Sequence, residues 1–87
     1  EQNYPNPFNP STQIRYALPE ATSVTITVYD MMGRKIRTLV QDAQSAGYHT
    51  ALWNATNDRG LPVSAGMYIY NIQAGDNYHM KKMILLK

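Results

Sequence analysis

The most informative absence in this sequence is cysteine, which does not occur at all. A disulfide bridge, a thiolate metal site and a cysteine nucleophile are therefore excluded. Tryptophan and phenylalanine each occur once. No apolar run approaches the roughly 18 residues that a membrane-spanning helix needs. We expect no transmembrane segment, and the hydrophobic core has to stabilise the fold without covalent help.

Charged residues are also scarce. They make up 16% of the 87 residues, and eight Lys and Arg against six Asp and Glu give a net charge of +2. The basic residues are scattered along the chain, whereas a nucleic-acid site needs a continuous basic face. A catalytic pocket of about 300 Å³ or more would be demanding in a domain this small. We therefore expect a single domain that is not an enzyme and does not bind nucleic acid.

Hydrophobic residues alternate with polar ones along most of the chain, and no helical period is present. Turn signals separate about seven short segments. Pro62 limits the fifth segment to a sheet edge, and 41–46 is expected to be a loop with room for one helical turn. The pattern predicts an all-β, immunoglobulin-like antiparallel sandwich of about seven strands, with a barrel as the main alternative. The predicted strands lie at 11–18, 24–29, 34–40, 48–54, 61–63, 67–74 and 78–86.

Residues 1–10 differ in composition from the rest. They hold three of the five prolines, and each proline favours extended backbone in the residue before it. Tyr4 and Phe8 are large aromatic residues of the kind that anchor a segment on an apolar surface, although a loose linker is the alternative. We predict an extended Pro-rich arm at 1–10, packed on or leading into a sandwich at 11–87.

A tyrosine pattern in the sixth predicted strand suggests how the core is built. Tyr68 follows Gly66 and lies two residues before Tyr70. In immunoglobulin folds a tyrosine at this place donates a hydrogen bond to the preceding turn, two residues ahead of a core position that cysteine often holds. We expect Tyr68 to make that contact, Tyr70 to take the core position and Trp53 to fill the centre of the core.

Few residues have the spacing of a catalytic or metal site. His49 and His79 lack any metal-binding spacing and are expected on the surfaces of strands. The segment from Asn54 to Gly60 is rich in side-chain oxygens, as in a calcium loop, but Asp58 is its one carboxylate and turn formation explains the same residues. No Ser, His and acid set suggests a triad. We expect no metal and no cofactor.

Exposed aromatic residues offer a different function. A flat aromatic face binds sugars in many accessory modules of secreted enzymes, although seven tyrosines are also what a small core and its rim would use. The residues that would form such a face are Phe8, Tyr29, Tyr48 and Tyr78.

The strongest functional signal is a set of segments that occur in order over nearly the whole chain. Together they resemble the C-terminal sorting domain of the type IX secretion system, with a tail of type A. The sequence is also similar to the immunoglobulin-like domain of flagellar hook-capping proteins. The segments are 3–12 (NYPNPFNPST), 28–34 (VYDMMGR), 66–70 (GMYIY) and 81–87 (KKMILLK).

The resemblance implies a domain at the C-terminus of a longer bacterial protein. Its partners would be an N-terminal cargo domain in the same chain and the outer-membrane secretion machinery. The cargo would pass through the periplasm to the cell surface or the medium. The residues implied in recognition are Pro5, Asn6, Pro7, Lys82, Leu85, Leu86 and Lys87. The structural residues are Trp53, Gly66, Tyr68 and Tyr70.

A physical mechanism accompanies this interpretation. A last strand can present backbone groups to a receptor, and Lys81 with Lys82 would discourage indiscriminate pairing. The alternative is that Ile84 and Leu86 complete the core. For the whole chain, the alternative function is a structural or carbohydrate-binding accessory module of a secreted enzyme.

Overall fold

The computed structural model describes residues 11–86, so the predicted arm at 1–10 lies outside the described residues. Within this range no helix is long and apolar enough to cross a bilayer. The described residues form six strands: β1 (Thr12–Leu18), β2 (Thr22–Asp30), β3 (Lys35–Gln44), β4 (Gly47–Trp53), β5 (Gly66–Ala74) and β6 (Asn77–Leu85).

The strands form two antiparallel sheets. One contains β1 and β4, and the other has the order β3-β2-β5-β6. The sheets are separate in the described part of the chain, so the fold is a sandwich and not a barrel. The predicted all-β, immunoglobulin-like architecture is confirmed.

The core lies between the inner faces of the sheets. The alternation in β1 is strict, with every second residue buried, because one face meets the core and the other meets solvent. Trp53 and Tyr70 are both 0% exposed and are the largest buried side chains. The remaining hydrophobic core residues are Ile14, Tyr16, Leu18, Val24, Ile26, Val28, Ala51, Ala55, Tyr68, Ile72, Met83 and Leu85.

The predicted strand at 61–63 is not a full strand. The segment makes one isolated bridge, between Thr56 and Pro62. Proline has no backbone N–H, so it cannot donate to a continuing ladder. The described chain therefore has six strands, where the sequence predicted about seven.

The third strand is longer than predicted. Its pairing with β2 continues to Thr22 opposite Gln44, so Gln41–Gln44 is strand and the predicted loop at 41–46 shrinks to its last two residues. The extension comes from β2, which offers a long ladder of backbone partners to a segment whose own composition is only weakly β-favouring. Register shifts between Ile26/Thr27 and Val28/Tyr29 also disturb the alternation of β3.

Candidate functional site

The last strand divides its side chains between the core and the solvent. Met83 and Leu85 are 0% and 1% exposed, whereas Ile84 and Leu86 are 41% and 47% exposed. Lys82 is also exposed. The core is thus completed by Met83 and Leu85, and the sequence-based alternative that assigned this role to Ile84 and Leu86 is wrong. We call Lys82, Ile84 and Leu86 the outer stripe.

The outer stripe belongs to a larger apolar face of the four-stranded sheet. Ile84 lies opposite Met67 on β5, and Lys82 lies opposite Ile69. Ile69 in turn faces Tyr29 on β2. Met67 is 41% exposed, and Ile69 and Tyr29 are half-buried. The stripe is therefore the rim of a surface that a partner can contact over several strands.

The recognition residues taken from the resemblance are distributed unevenly. Pro5, Asn6, Pro7 and Lys87 lie outside the described residues. Leu85 is buried, so the folded domain does not present its side chain. Lys82 and Leu86 lie together on the outer stripe. Ile84 was missed as a recognition candidate because the run from Lys81 to Lys87 has no period-two signal that separates its faces.

The structural residues meet at the beginning of β5. The hydroxyl of Tyr68 donates a hydrogen bond to the carbonyl oxygen of Ser64 at 2.6 Å, which is the contact that the sequence predicts. Its ring meets Trp53 edge to face, with centroids 5.2 Å apart. Gly66, which lies between Ser64 and Tyr68 in the sequence, has φ +143°, a value that residues with a side chain rarely adopt. This corner fixes where β5 starts and therefore which residues face β6.

The loop after β4 is held by an arginine. Nη1 of Arg37 donates to Thr56 Oγ1 at 2.7 Å and to the carbonyl oxygen of Asn57 at 2.9 Å. Asn57 Oδ1 accepts from the amides of Arg59 and Leu61. The cationic guanidinium of Arg37 thus lies among the oxygens that suggested a calcium loop. The side-chain oxygen of Asn57 is used in hydrogen bonds within the turn.

The carboxylate of that loop is also engaged. Asp58 Oδ1 accepts from the amide of Thr38 at 3.0 Å, and the amide of Asp58 donates to the carbonyl oxygen of Ile36 at 2.9 Å. No group of three or more His, Cys, Asp or Glu that could hold a metal occurs among residues 11–86. The hydrogen bonds of Asp58 attach the loop, which is part of the β4–β5 connection, to β3.

The two histidines differ in environment. His79 is exposed, as predicted, but His49 is half-buried. The ring of His49 stacks on Tyr16 with centroids 5.4 Å apart, and its Nε2 donates to the carbonyl oxygen of Ser45 at 2.8 Å. Its stacked position depends on the pairing of β1 with β4, which the local sequence does not reveal.

A groove of about 780 Å³ opens on the flank of the sandwich between β1 and β6. Leu18 and Ile72 line its apolar part, and His79 and Lys81 line its polar part. Tyr16 also lines it and donates to Gln44 Oε1 at 2.5 Å. Burial raises the pKa of the Tyr16 hydroxyl above its usual value.

The aromatic residues considered for a sugar platform do not come together. Tyr48 is 90% exposed on the two-stranded sheet, whereas Tyr29 and Tyr78 belong to the four-stranded sheet. Tyr29 is level with Lys82, four residues along β6 from Tyr78 and two strands away. At ordinary strand rise and spacing, this separates Tyr29 from Tyr78 by about 16 Å. Phe8 lies outside the described residues.

The family follows from the sequence as a whole. The model of the FlgD Ig-like domain matches residues 9–77, well over half of the chain. The chain belongs to the FlgD Ig-like domain family. Among curated protein sequences, none matches the chain.

Solved structures with this Ig-like fold include proteins of two kinds. Dimeric latent PorU from Porphyromonas gingivalis aligns with a TM-score of 0.78 and 21% identity, over 98% of this chain and 9% of PorU. PorZ, a surface component of the type IX secretion system of the same bacterium, aligns with a TM-score of 0.63 and 18% identity, over 99% of this chain and 11% of PorZ.

The second kind is FlgD itself. FlgD from Xanthomonas campestris, which is involved in hook capping, aligns with a TM-score of 0.68 and 22% identity, over 91% of this chain and 58% of FlgD. The chain therefore spans less than two thirds of each of these proteins. At such identities the likeness shows the Ig-like fold alone.

Proposed function

We propose that this chain is a non-catalytic sorting domain that directs a bacterial cargo protein through the outer membrane to the cell surface or the medium. The proposal combines two observations. One is the tail sequence from Lys81 to Lys87, and the other is that alternate side chains from Met83 to Leu86 are buried in the core or exposed to solvent. Its fold is shared by PorZ, a surface component of a secretion system, and by FlgD, a hook-capping protein.

The observation that carries the proposal is the outer stripe. Ile84 and Leu86 are 41% and 47% exposed at the end of β6, and they adjoin Met67, which is 41% exposed on the neighbouring strand. A contiguous exposed apolar patch with a polar rim is typical of a surface that binds another protein. The side chains of the stripe, and not an unpaired backbone, support this function.

The alternative, a carbohydrate-binding accessory module, has less support. Sugar platforms need aromatic rings side by side, and Tyr29, Tyr48 and Tyr78 lie on different faces or about 16 Å apart. A structural accessory role is compatible with the FlgD Ig-like family, but it gives no reason for aliphatic residues to be exposed on the last strand.

The test is the export of a reporter protein fused in front of the 87-residue chain. The fusion is expressed in a host with type IX secretion and in the same host with the secretion pore disabled. We expect reporter in the medium or on the surface of the first host and in the periplasm of the second. Periplasmic retention in both hosts would overturn the proposal and favour the accessory role.

Substitution is a sharper tool than truncation for this domain. Deleting the end of β6 removes Met83 and Leu85 from the core, so a loss of export would not separate a lost address from a lost fold. Substitutions at Ile84 and Leu86 leave the core intact.

A further inference from the structure

The turn between β2 and β3 exposes two methionines side by side. Met31 is 52% and Met32 is 80% exposed, although both are large apolar residues. Neither belongs to the core nor to the outer stripe. Long apolar side chains at the tip of a hairpin need a reason, because solvent contact gives them no favourable interaction.

The turn that carries them bonds several of its own backbone amides. Asp30 Oδ1 accepts from the amides of Met32 and Arg34, each at 2.9 Å. The amide of Gly33 donates to the carbonyl oxygen of Asp30 at 3.0 Å, and Gly33 adopts φ +83°. Asp30 Oδ2 also accepts from Nε of Arg34 at 2.8 Å. A tip whose amides are bonded within the turn can enter an apolar medium without leaving those donors unpaired.

Positive charge collects at the same end of the sandwich. Arg34 and Lys35 follow the methionines, and Arg59 lies on the loop that Asp58 ties to the beginning of β3. At this end Asp30 is paired with Arg34, and Asp58 accepts a hydrogen bond from a backbone amide. Among the described residues, Lys35 and Arg59 therefore carry the positive charge that remains available there.

The opposite end has the opposite character. Glu20 lies in the β1–β2 turn, Asp42 near the end of β3, and Asp76 in the β5–β6 turn. The described part of the domain is therefore basic and apolar at the methionine end and acidic at the other. An anionic surface would orient it with Met31 and Met32 facing that surface.

We propose that the Met31–Met32 turn is a membrane-docking tip, in which the two methionines enter the headgroup region of an anionic bilayer while Lys35 and Arg59 contact lipid phosphates. Apolar insertion combined with basic residues is what binding at an anionic membrane interface requires. This inference does not depend on the sorting role, because it uses none of the outer-stripe residues.

The test is binding of the 87-residue chain to vesicles of phosphatidylcholine alone and of phosphatidylcholine with phosphatidylglycerol. We expect association with the phosphatidylglycerol vesicles and much weaker association with the neutral ones. The double variant Met31→Ser, Met32→Ser should lower the partition coefficient by about tenfold, because two methionines no longer leave water. Lys35→Glu with Arg59→Glu should lower it by about tenfold or more. Tyr48→Ser, at a site that is 90% exposed and lies near the acidic end, should leave it unchanged.

A spectroscopic variant reports insertion directly. Trp53 is 0% exposed, so its emission is insensitive to lipid, and Met32→Trp adds a reporter at the tip. We expect a blue shift with phosphatidylglycerol vesicles only. No binding by the parent chain, or equal binding by the double methionine variant, would overturn the proposal. The first of these results would favour a protein pocket as the partner of the two methionines.

Discussion

Tyr68 joins the core to the loop before β5, since its ring lies edge to face against Trp53 with centroids 5.2 Å apart and its hydroxyl donates to Ser64. The two contacts use different parts of one side chain. The ring contact contributes to packing, and the hydroxyl fixes the turn. The contributions of the ring contact and of the hydrogen bond can therefore be measured separately by removing the hydroxyl oxygen of Tyr68.

Tyr68→Phe keeps the ring against Trp53 and removes the hydrogen bond to Ser64. We expect the free energy of unfolding to fall by about 1 kcal/mol, the usual net value of one such bond. Urea denaturation measures the change. Tyr78→Phe is the matched control, because Tyr78 is 64% exposed, and it should leave stability unchanged. Equal stability of Tyr68→Phe and the parent would show that the hydrogen bond from Tyr68 to Ser64 does not stabilise the fold.

Arg37 is expected to stabilise the loop after β4. Arg37→Ala removes the bonds to Thr56 Oγ1 and the Asn57 carbonyl, so we expect a loss of about 1 to 2 kcal/mol. Thermal unfolding compared with Arg59→Ala, an exposed arginine on the same loop, gives the control. Because the guanidinium lies among the loop oxygens, we also expect added Ca²⁺ to leave the Tm of the parent unchanged. A Tm that rises with Ca²⁺ would contradict this account of the loop.

The two faces of β6 should respond differently to truncation of a side chain. Leu85→Ala removes a fully buried side chain and should lower the free energy of unfolding by about 2 to 5 kcal/mol. Ile84→Ala affects a residue that is 41% exposed, and we expect a loss below about 1 kcal/mol. Chemical denaturation of both variants measures the difference. Similar losses at the two positions would mean that the assigned faces are incorrect.

The Asp30 carboxyl should make the stability of the fold depend on pH. The hydrogen bond from the Arg34 amide, helped by the side chain of Arg34 and the Met32 amide, lowers the pKa of Asp30 in the folded state. The folded chain therefore binds this proton less readily than the unfolded chain. The stabilisation is present above the unfolded pKa of about 3.9 and is lost as pH falls through the folded pKa.

Asp30→Asn imitates the protonated carboxyl. We expect it to lower the Tm at neutral pH, and the difference from the parent should shrink as pH falls below about 4. Asp76→Asn, in the other hairpin turn, serves as the control. A Tm difference between Asp30→Asn and the parent that is the same at neutral and acid pH would refute the carboxylate's role in the turn.

Local patterns in the sequence were sufficient for much of the fold. The spacing of Ile14, Tyr16 and Leu18 is enough to identify a buried face, because each residue of a strand points opposite to its neighbours. The same reasoning placed Tyr68 and Tyr70 on the inside of β5. The turn from Asp30 to Gly33 depends on side-chain chemistry that acts over a few residues, so it too can be predicted locally.

Features that depend on distant partners escaped local reasoning. The extension of β3 to Gln44 is dictated by Thr22 of β2. The role of Arg37 requires Thr56, which lies 19 residues further along the chain. The faces of β6 were ambiguous because hydrophobic residues follow one another from Met83 to Leu86, and only the register with β5 separates them.

The most direct test of the central proposal compares two substituted domains in the export assay. In a host with type IX secretion, we predict that Ile84→Ser with Leu86→Ser abolishes export of the reporter. The control, Tyr78→Ser at the other end of the same strand, should preserve it, and circular dichroism should show both domains folded. Export of the Ile84→Ser, Leu86→Ser domain at the parent level would contradict the claim that the outer stripe is what the secretion machinery recognises.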